Sequence, residues 1–196
     1  MNKIIQIAID SPAAAGAGTQ AKLIAKYYNL FYLDTGKIYR FIGNLKINYK
    51  KKFSYSLVKK KIDKLQLNEL NNKTLLSNKV AIEASIIAKD KKIRKIVYNF
   101  QKKCAYKPPN KYSGSCLDGR DICSVIMPDA NVKLFITANL KTRAMRRFKE
   151  LKLKDKKLTY QEVLKSIKKR DKSDINRQIS PLKKTSDSIL INSSNL

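Results

Sequence analysis

Histidine and tryptophan are absent from this 196-residue chain, and glycine (6), proline (5) and cysteine (3) are scarce. Without an imidazole, every mechanism that needs a histidine base and every metal site built on histidine is excluded. Cys104, Cys116 and Cys123 are odd in number and lie at spacings that suit neither a disulfide framework nor a zinc site. They are expected as buried or half-exposed thiols without a chemical task. No run of about 18 apolar residues occurs and no signal-peptide pattern opens the chain, which excludes a membrane-spanning helix and predicts a soluble, cytoplasmic protein. The hydrophobic content of 43% suffices for one α/β core with one inserted lobe.

Acid is scarce as well: 15 Asp and Glu face 43 Lys and Arg, for a formal net charge of +28. Such a balance ordinarily points to nucleic acid or an anionic membrane. Here the lysines are scattered through every segment together with Asn and Ile, as A/T-biased codons supply them, and scattered charge makes a solvated surface. The expectation is a monomer with no membrane partner and no specific nucleic-acid partner. An RNA-binding protein is the alternative that the charge motivates, but aromatic stacking platforms, zinc knuckles and a GxxG clamp are missing.

Only eight of the basic residues are arginine: Arg40, Arg94, Arg120, Arg143, Arg146, Arg147, Arg170 and Arg177. Where lysine fills any position that merely needs charge, the remaining arginines mark places that need a planar, two-pronged donor for phosphate or base edges.

The chain is organised around Ile4 to Asp10, an apolar strand that turns through Ser11-Pro12-Ala13-Ala14-Ala15-Gly16-Ala17-Gly18-Thr19 into a helical pattern from Thr19 to Tyr28. Such a turn aims backbone N–H groups and the positive end of a helix dipole at one spot, where polyphosphate binds. The full phosphate-loop pattern is G-x-x-x-x-G-K-[ST]; Ser11 stands where its first Gly belongs and Ala17 where its Lys belongs. An ordinary small-residue turn is the alternative.

A short strand, Leu30 to Leu33, leads to Asp34-Thr35-Gly36 and a helix carrying Tyr39 and Arg40. Asp34 or Thr35 reads as an N-cap, or Thr35 and Arg40 as a phosphomonoester site. Residues 45–112 form a basic lobe with helices expected at Tyr55 to Leu67, Leu76 to Lys89 and Lys91 to Lys103, broken at Asn71-Asn72 and Pro108-Pro109. Ser85 and Arg94 either face a shared cavity or act as a capping Ser and a surface Arg.

Ser115 to Leu117 is a strand ending in Asp118-Gly119-Arg120-Asp121, at the sheet edge where open α/β folds bind ligands. Arg120 offers a fork to phosphate and Asp121 is acceptor-only, or the two form an ion pair across the turn. Val132 to Ile136 is the next strand. The helix Asn139 to Leu151 sets Arg143, Arg146 and Arg147 on one face, and the helix Tyr160 to Arg170 leads to Asp171, Asp174 and Arg177. Two arginine-bearing helices joined by the polar segment Leu153 to Leu158 describe a lid, around 143–177. Ser188 to Ile191 is the final strand.

The runs IAIDSPAAAGAGT, YLDTGKIYR, LDGRDI, PDANVKLFITA, RAMRRFKEL, KKRDKSDINRQISPL and INSSNL, in this order, resemble bacterial cytidylate kinases from end to end. The resemblance implies an α/β phosphate-loop kinase fold: a five-stranded parallel sheet in order 2-3-1-4-5 flanked by helices, core 1–44 and 113–196, and an inserted acceptor lobe 45–112. It implies transfer of phosphate from ATP to CMP or dCMP with Mg²⁺, without naming metal ligands. By the same resemblance Ser11 through Thr19 hold ATP. Thr35, Arg40, Ser85, Arg94, Arg120, Asp121, Arg170, Asp174 and Arg177 hold the acceptor nucleotide. Arg120, Arg143, Arg147, Arg170 and Arg177 carry the catalytic charge, with Arg143 and Arg147 on the ATP side.

Three departures from the family pattern matter. Ala17 replaces the lysine on the β- and γ-phosphates, so lid arginines or Lys22 are expected to supply that charge; a nucleotide-binding pseudokinase is the alternative. Ser11 adds a small side chain at the turn. Cys123-Ser124 replaces a Gly-Thr pair, which is expected to crowd the base pocket.

Overall fold

In the computed structural model, which describes residues 4–153 and 155–195, the apolar opening stretch is strand β1 (Ile5–Asp10), with Ile7, Ala8 and Ile9 sealed on both faces. Burial on both faces fits a central parallel strand. Around it stand β2 (Leu30–Asp34), β3 (Gly114–Gly119), β4 (Val132–Thr137) and β5 (Ile189–Asn192) in the order 2-3-1-4-5. All the pairings are parallel, and the expected topology holds. The register sets Asp10 opposite Gly119 and Asp34 opposite Asp118, so the ligand-facing ends of three neighbouring strands carry Asp10, Asp34 and Asp118, with Asp10 one residue further along.

Helix α1 (Ala17–Tyr27) buries Ala17, Ala21 and Ala25, one per turn, and these small side chains let it lie close against Ile7, Ile9, Leu134 and Ile136. The opposite face of the sheet carries α2 (Gly36–Tyr49), whose Ile38, Phe41 and Ile42 pack with Leu33, Leu117 and Ile122. The same core takes in Val58 and Ile62 of α3 (Tyr55–Asp63), Ala84 and Ile87 of α4 (Asn78–Ile87), and Ile93 and Val97 of α5 (Lys91–Tyr106). Because α2 runs straight through residue 45, the lobe shares its core with the sheet.

Helices α6 (Leu140–Lys152) and α7 (Tyr160–Ile175) form the expected hairpin around Ala144, Val163 and Ile167. Asn139 caps α6 and a Thr159–Glu162 capping box starts α7. In the connection between them, where Lys154 lies outside the described residues, Lys152 Nζ donates to the Leu158 carbonyl at 2.9 Å.

Some boundaries differ from expectation. Helix α3 stops at Asp63, and Leu67–Asn71 and Lys73–Leu76 are 3₁₀ turns. Helix α7 continues past Arg170 to Ile175, carrying Asp171 and Asp174 on the helix. Residues Ile122–Ile126 form a π-helical turn. The three cysteines are buried free thiols, as expected. Among the described residues no helix is long and apolar enough to cross a membrane.

Candidate active site

The loop after β1 is shaped by two left-handed residues, Ala14 at φ +59° and Gly16 at φ +85°, before α1 begins at Ala17. Left-handed residues alternating with ordinary ones turn successive amides inward, and the helix dipole adds to that positive potential. Gly16 adopts this geometry without a Cβ penalty; Ala14 does not. Ala14→Gly is therefore expected to stabilise the protein by about 0.5–1 kcal/mol with turnover unchanged, seen as a rise of about 1–4 °C in Tm.

The loop is braced from the lid. Arg143, 7% exposed, donates through Nη1 to the Ala13 carbonyl at 3.0 Å and to Asp171 Oδ2 at 2.6 Å, and through Nε to the Ala138 carbonyl at 2.8 Å. Asp171 Oδ1 in turn accepts the Ala13 N–H at 3.4 Å. Arg143, expected to face ATP, is thus turned under the loop with its charge matched by Asp171. Arg146 Nη1 donates to Ser193 Oγ at 3.1 Å, and that hydroxyl donates to the Ala15 carbonyl at 2.7 Å. Arg147 takes a different direction, pairing with Glu150 at 2.7 Å. The shared helix face therefore divides between loop and cleft.

On the acceptor side, Thr35 is buried at the head of α2 with helical φ and ψ, and its hydroxyl donates to the Asp118 carbonyl at 2.8 Å. Thr35 thus stands at the N-cap position as expected, but its side chain caps no amide of α2. Gly119 is required here, since a Cβ would stand 2.5 Å from Thr35 Oγ1.

Asp121, 4% exposed, is bonded to Arg94 Nη2, and Arg177 Nη2 lies 3.7 Å from its other oxygen. Arg94 also donates to the Ala88 carbonyl at 3.1 Å and lies over the Tyr39 ring, 5.5 Å from its centroid. The surface-Arg reading fails on its burial, and the capping-Ser reading fails because Ser77 caps α4 and Asp90 caps α5. Ser85 sits half-buried on α4 and makes no hydrogen bond to Asp121 or Arg94.

Asp174 organises the remaining arginines. Arg120 Nε donates to its Oδ2 at 3.1 Å, Arg170 Nε lies 3.8 Å from the same oxygen, and Arg177 Nη1 lies 3.9 Å from Oδ1. The ion pair of Arg120 is thus with α7, not with Asp121 across the turn. Burial and then Arg120 push Arg170 down to about 10, with Arg40 and Arg147 acting the same way. Its Nε is enclosed while the rest of the side chain stays half open to the cleft. Arg40, which donates to the Leu75 carbonyl at 2.9 Å, is lowered by burial and then by Arg147, and also by Arg120. Four guanidiniums from α2, the end of β3, α6 and α7 therefore repel one another, and a dianion between them would relieve that repulsion.

Beside the loop stands Asp118, which the sequence placed in the strand-end cluster without a role of its own. Asp118 is buried, accepts from Tyr32 Oη at 3.1 Å, and reaches within 3.5 Å of where a Cβ on Gly18 would stand. Burial and then Asp34 hold its carboxyl well above the usual carboxylate range, against the pull of Tyr32, Arg120 and Lys22. The available signal was an Asp at or one residue before the end of each of three strands. A cavity of about 1050 Å³ lies elsewhere, between α3 and α5, and contains none of these residues.

The sequence profile of the cytidylate kinases matches residues 7–196. Cytidylate kinases of Azorhizobium caulinodans and Thermosipho melanesiensis are 40% and 38% identical to it, each alignment covering 97% of this chain and 90% of the relative. The chain belongs to the cytidylate kinase family. The cytidylate kinase of Clostridium tetani is also 40% identical, over 97% of this chain and 87% of its own. A crystal structure of an uncharacterized protein from Eubacterium ventriosum shares the fold, at TM-score 0.52 and 19% identity over 98% of this chain and 90% of its own. Membership in the cytidylate kinase family makes the chain an ATP-dependent phosphotransferase and gives its loop the role of a phosphate cradle.

Ala17 is buried against the sheet, and Lys22 stands one turn along α1 with Nζ 6.0 Å from the Tyr32 ring centroid. Cys123 does not crowd the base pocket: its Sγ turns into the sheet toward the Ala8 and Leu134 carbonyls, at 3.5 and 3.7 Å.

Proposed function

We propose that the chain transfers the γ-phosphoryl group of ATP to CMP and dCMP, with Mg²⁺ accompanying ATP. The observation that carries this reading is the convergence of Arg40, Arg120, Arg147 and Arg170, mutually repelling and only partly neutralised by Asp174 and Glu150. Phosphoryl transfer needs alignment and charge neutralisation, and such a cluster supplies both without histidine.

The acceptor is read at Asp121. A carboxylate only accepts, and the cytosine amino group only donates, whereas uracil presents a carbonyl that this carboxylate repels. Arg94 and Arg177 occupy part of its acceptor capacity and fix its direction. Ser85 completes the base side. Thr35, Arg40, Arg120, Arg170 and Arg177 take the acceptor phosphate, and Asp174 orients the arginines beside the ribose. The amides of Ser11 through Thr19 hold the ATP phosphates, and Arg143 keeps that loop in shape.

Asp34 and Asp118 would hold Mg²⁺. The fit is electrostatic: Asp34 adds to the cost of ionising the buried Asp118 beside the loop, and a divalent cation removes that cost. Bound there, the ion would screen the β- and γ-phosphate oxygens.

Loss of one preorganised stabiliser costs about 3–4 kcal/mol of barrier. Guanidiniums on the cleft side offset the lysine missing at Ala17, so binding without turnover gains no support from the site. An ADP-release assay with ATP against CMP, dCMP, UMP and AMP tests this reading. Turnover with CMP and dCMP at least about tenfold above UMP and AMP is expected from one well-read base edge. Absence of turnover, or equal turnover with all of them, would overturn it.

A further inference from the structure

Asp10 takes part in no step above, yet its side chain is completely enclosed, at 0% exposure. It ends β1 directly ahead of Ser11, and its strand partner is Gly119. Its Oδ1 accepts the Ile122 N–H at 2.8 Å and its Oδ2 accepts the Cys123 N–H at 2.9 Å. These amides immediately follow Asp121 and open the π-helical turn, where backbone donors lack partners within the turn. The Asp121 carbonyl accepts from Val125 at 2.9 Å and from Ile126 at 3.2 Å. Asp121 is thus held through its backbone on both sides, by the turn that its carbonyl closes and by the two amides that Asp10 grips.

Burying a carboxylate without a cation is costly, and burial pushes the Asp10 carboxyl up to about 6. A hydroxyl could cap a turn at lower cost, but only a carboxylate offers two acceptor oxygens to two neighbouring N–H groups and no donor to clash with them. The two bonds fix the direction of the chain leaving Asp121.

We infer that Asp10 is the positioning residue for Asp121: through the Ile122 and Cys123 amides it sets the angle at which that carboxylate meets the acceptor base. It thereby sets the preference for an amino-bearing pyrimidine over its carbonyl counterpart. This inference rests on the reading of Asp121 proposed above.

Asp10→Asn keeps the shape but turns one acceptor into an NH₂ group facing a backbone N–H, releasing one of the two amides. The ratio of kcat/KM for CMP over UMP is expected to fall about tenfold, mostly through KM for CMP, with KM for ATP unchanged within about twofold. Asp121→Asn should lose the same selectivity, and the double variant should lose no more than Asp121→Asn alone. A purely structural role would lower Tm without moving the CMP-to-UMP ratio.

If Asp121→Asn loses selectivity while Asp10→Asn keeps it, or if the two losses multiply, the inference fails and the reading of the base stands. If Asp121→Asn keeps its selectivity, the base reading itself fails. Should Asp10→Asn not fold, Asp10→Glu keeps both acceptors but displaces them by a methylene, and the same selectivity loss is expected from it.

Discussion

Arg170→Ala is expected to lower kcat for CMP phosphorylation by about 10²–10³-fold while leaving the fold intact. The size follows from the proposed role: Arg170 stands among Arg40, Arg120 and Arg147, and in that reading its fork is one preorganised donor to developing phosphoryl charge. Stability should not suffer, because the substitution removes a cation that its neighbours already repel. Equal or raised Tm together with the kinetic loss is the predicted signature. Arg170→Lys should recover little, since an ammonium keeps the charge but not the planar pair of donors. A rise in KM for CMP with kcat unchanged would show that Arg170 only binds the acceptor.

Arg94→Ala should have the largest effect on stability. Arg94 and Asp121 form a buried pair, and removing the cation leaves the carboxylate with Arg177 at 3.7 Å. Breaking such a pair from one side costs about 3–5 kcal/mol, or about 6–20 °C in Tm for a chain of this size. Adding Asp121→Asn should recover part of that loss, because the uncompensated charge disappears. Thermal or urea denaturation of the single and double variants checks this. A double variant no more stable than Arg94→Ala would locate the loss in packing against Tyr39 instead.

Much of this site was legible because its signals are local. An apolar strand, small residues and a helix in sequence gave the phosphate loop, and arginine in a lysine-rich chain marked Arg120, Arg170 and Arg177. What escaped depends on register and on backbone partners far away in sequence. Asp34 and Asp118 become neighbours only when β2 pairs with β3, and each has a bland reading alone. The turn of Arg143 under the loop depends on the Ala13 carbonyl and on Asp171, which lies on α7 because that helix runs past Arg170. Periodicity gave the face of α6 but not which arginine looks inward. The π-helical turn after Asp121 leaves no periodic trace, and the Asp10 carboxylate that bonds its first two amides lies outside the segment.

The buried thiols have a practical consequence. Burial pushes Cys104 up to about 11 and Cys116 up to about 12, and lifts Cys123 further still with help from Asp10. Thiolate is the reactive species, so maleimides and peroxide meet almost none of it in the folded enzyme. Alkylation at these sulfurs therefore clocks the parting of the sheet from its helices and serves as a built-in reporter of unfolding.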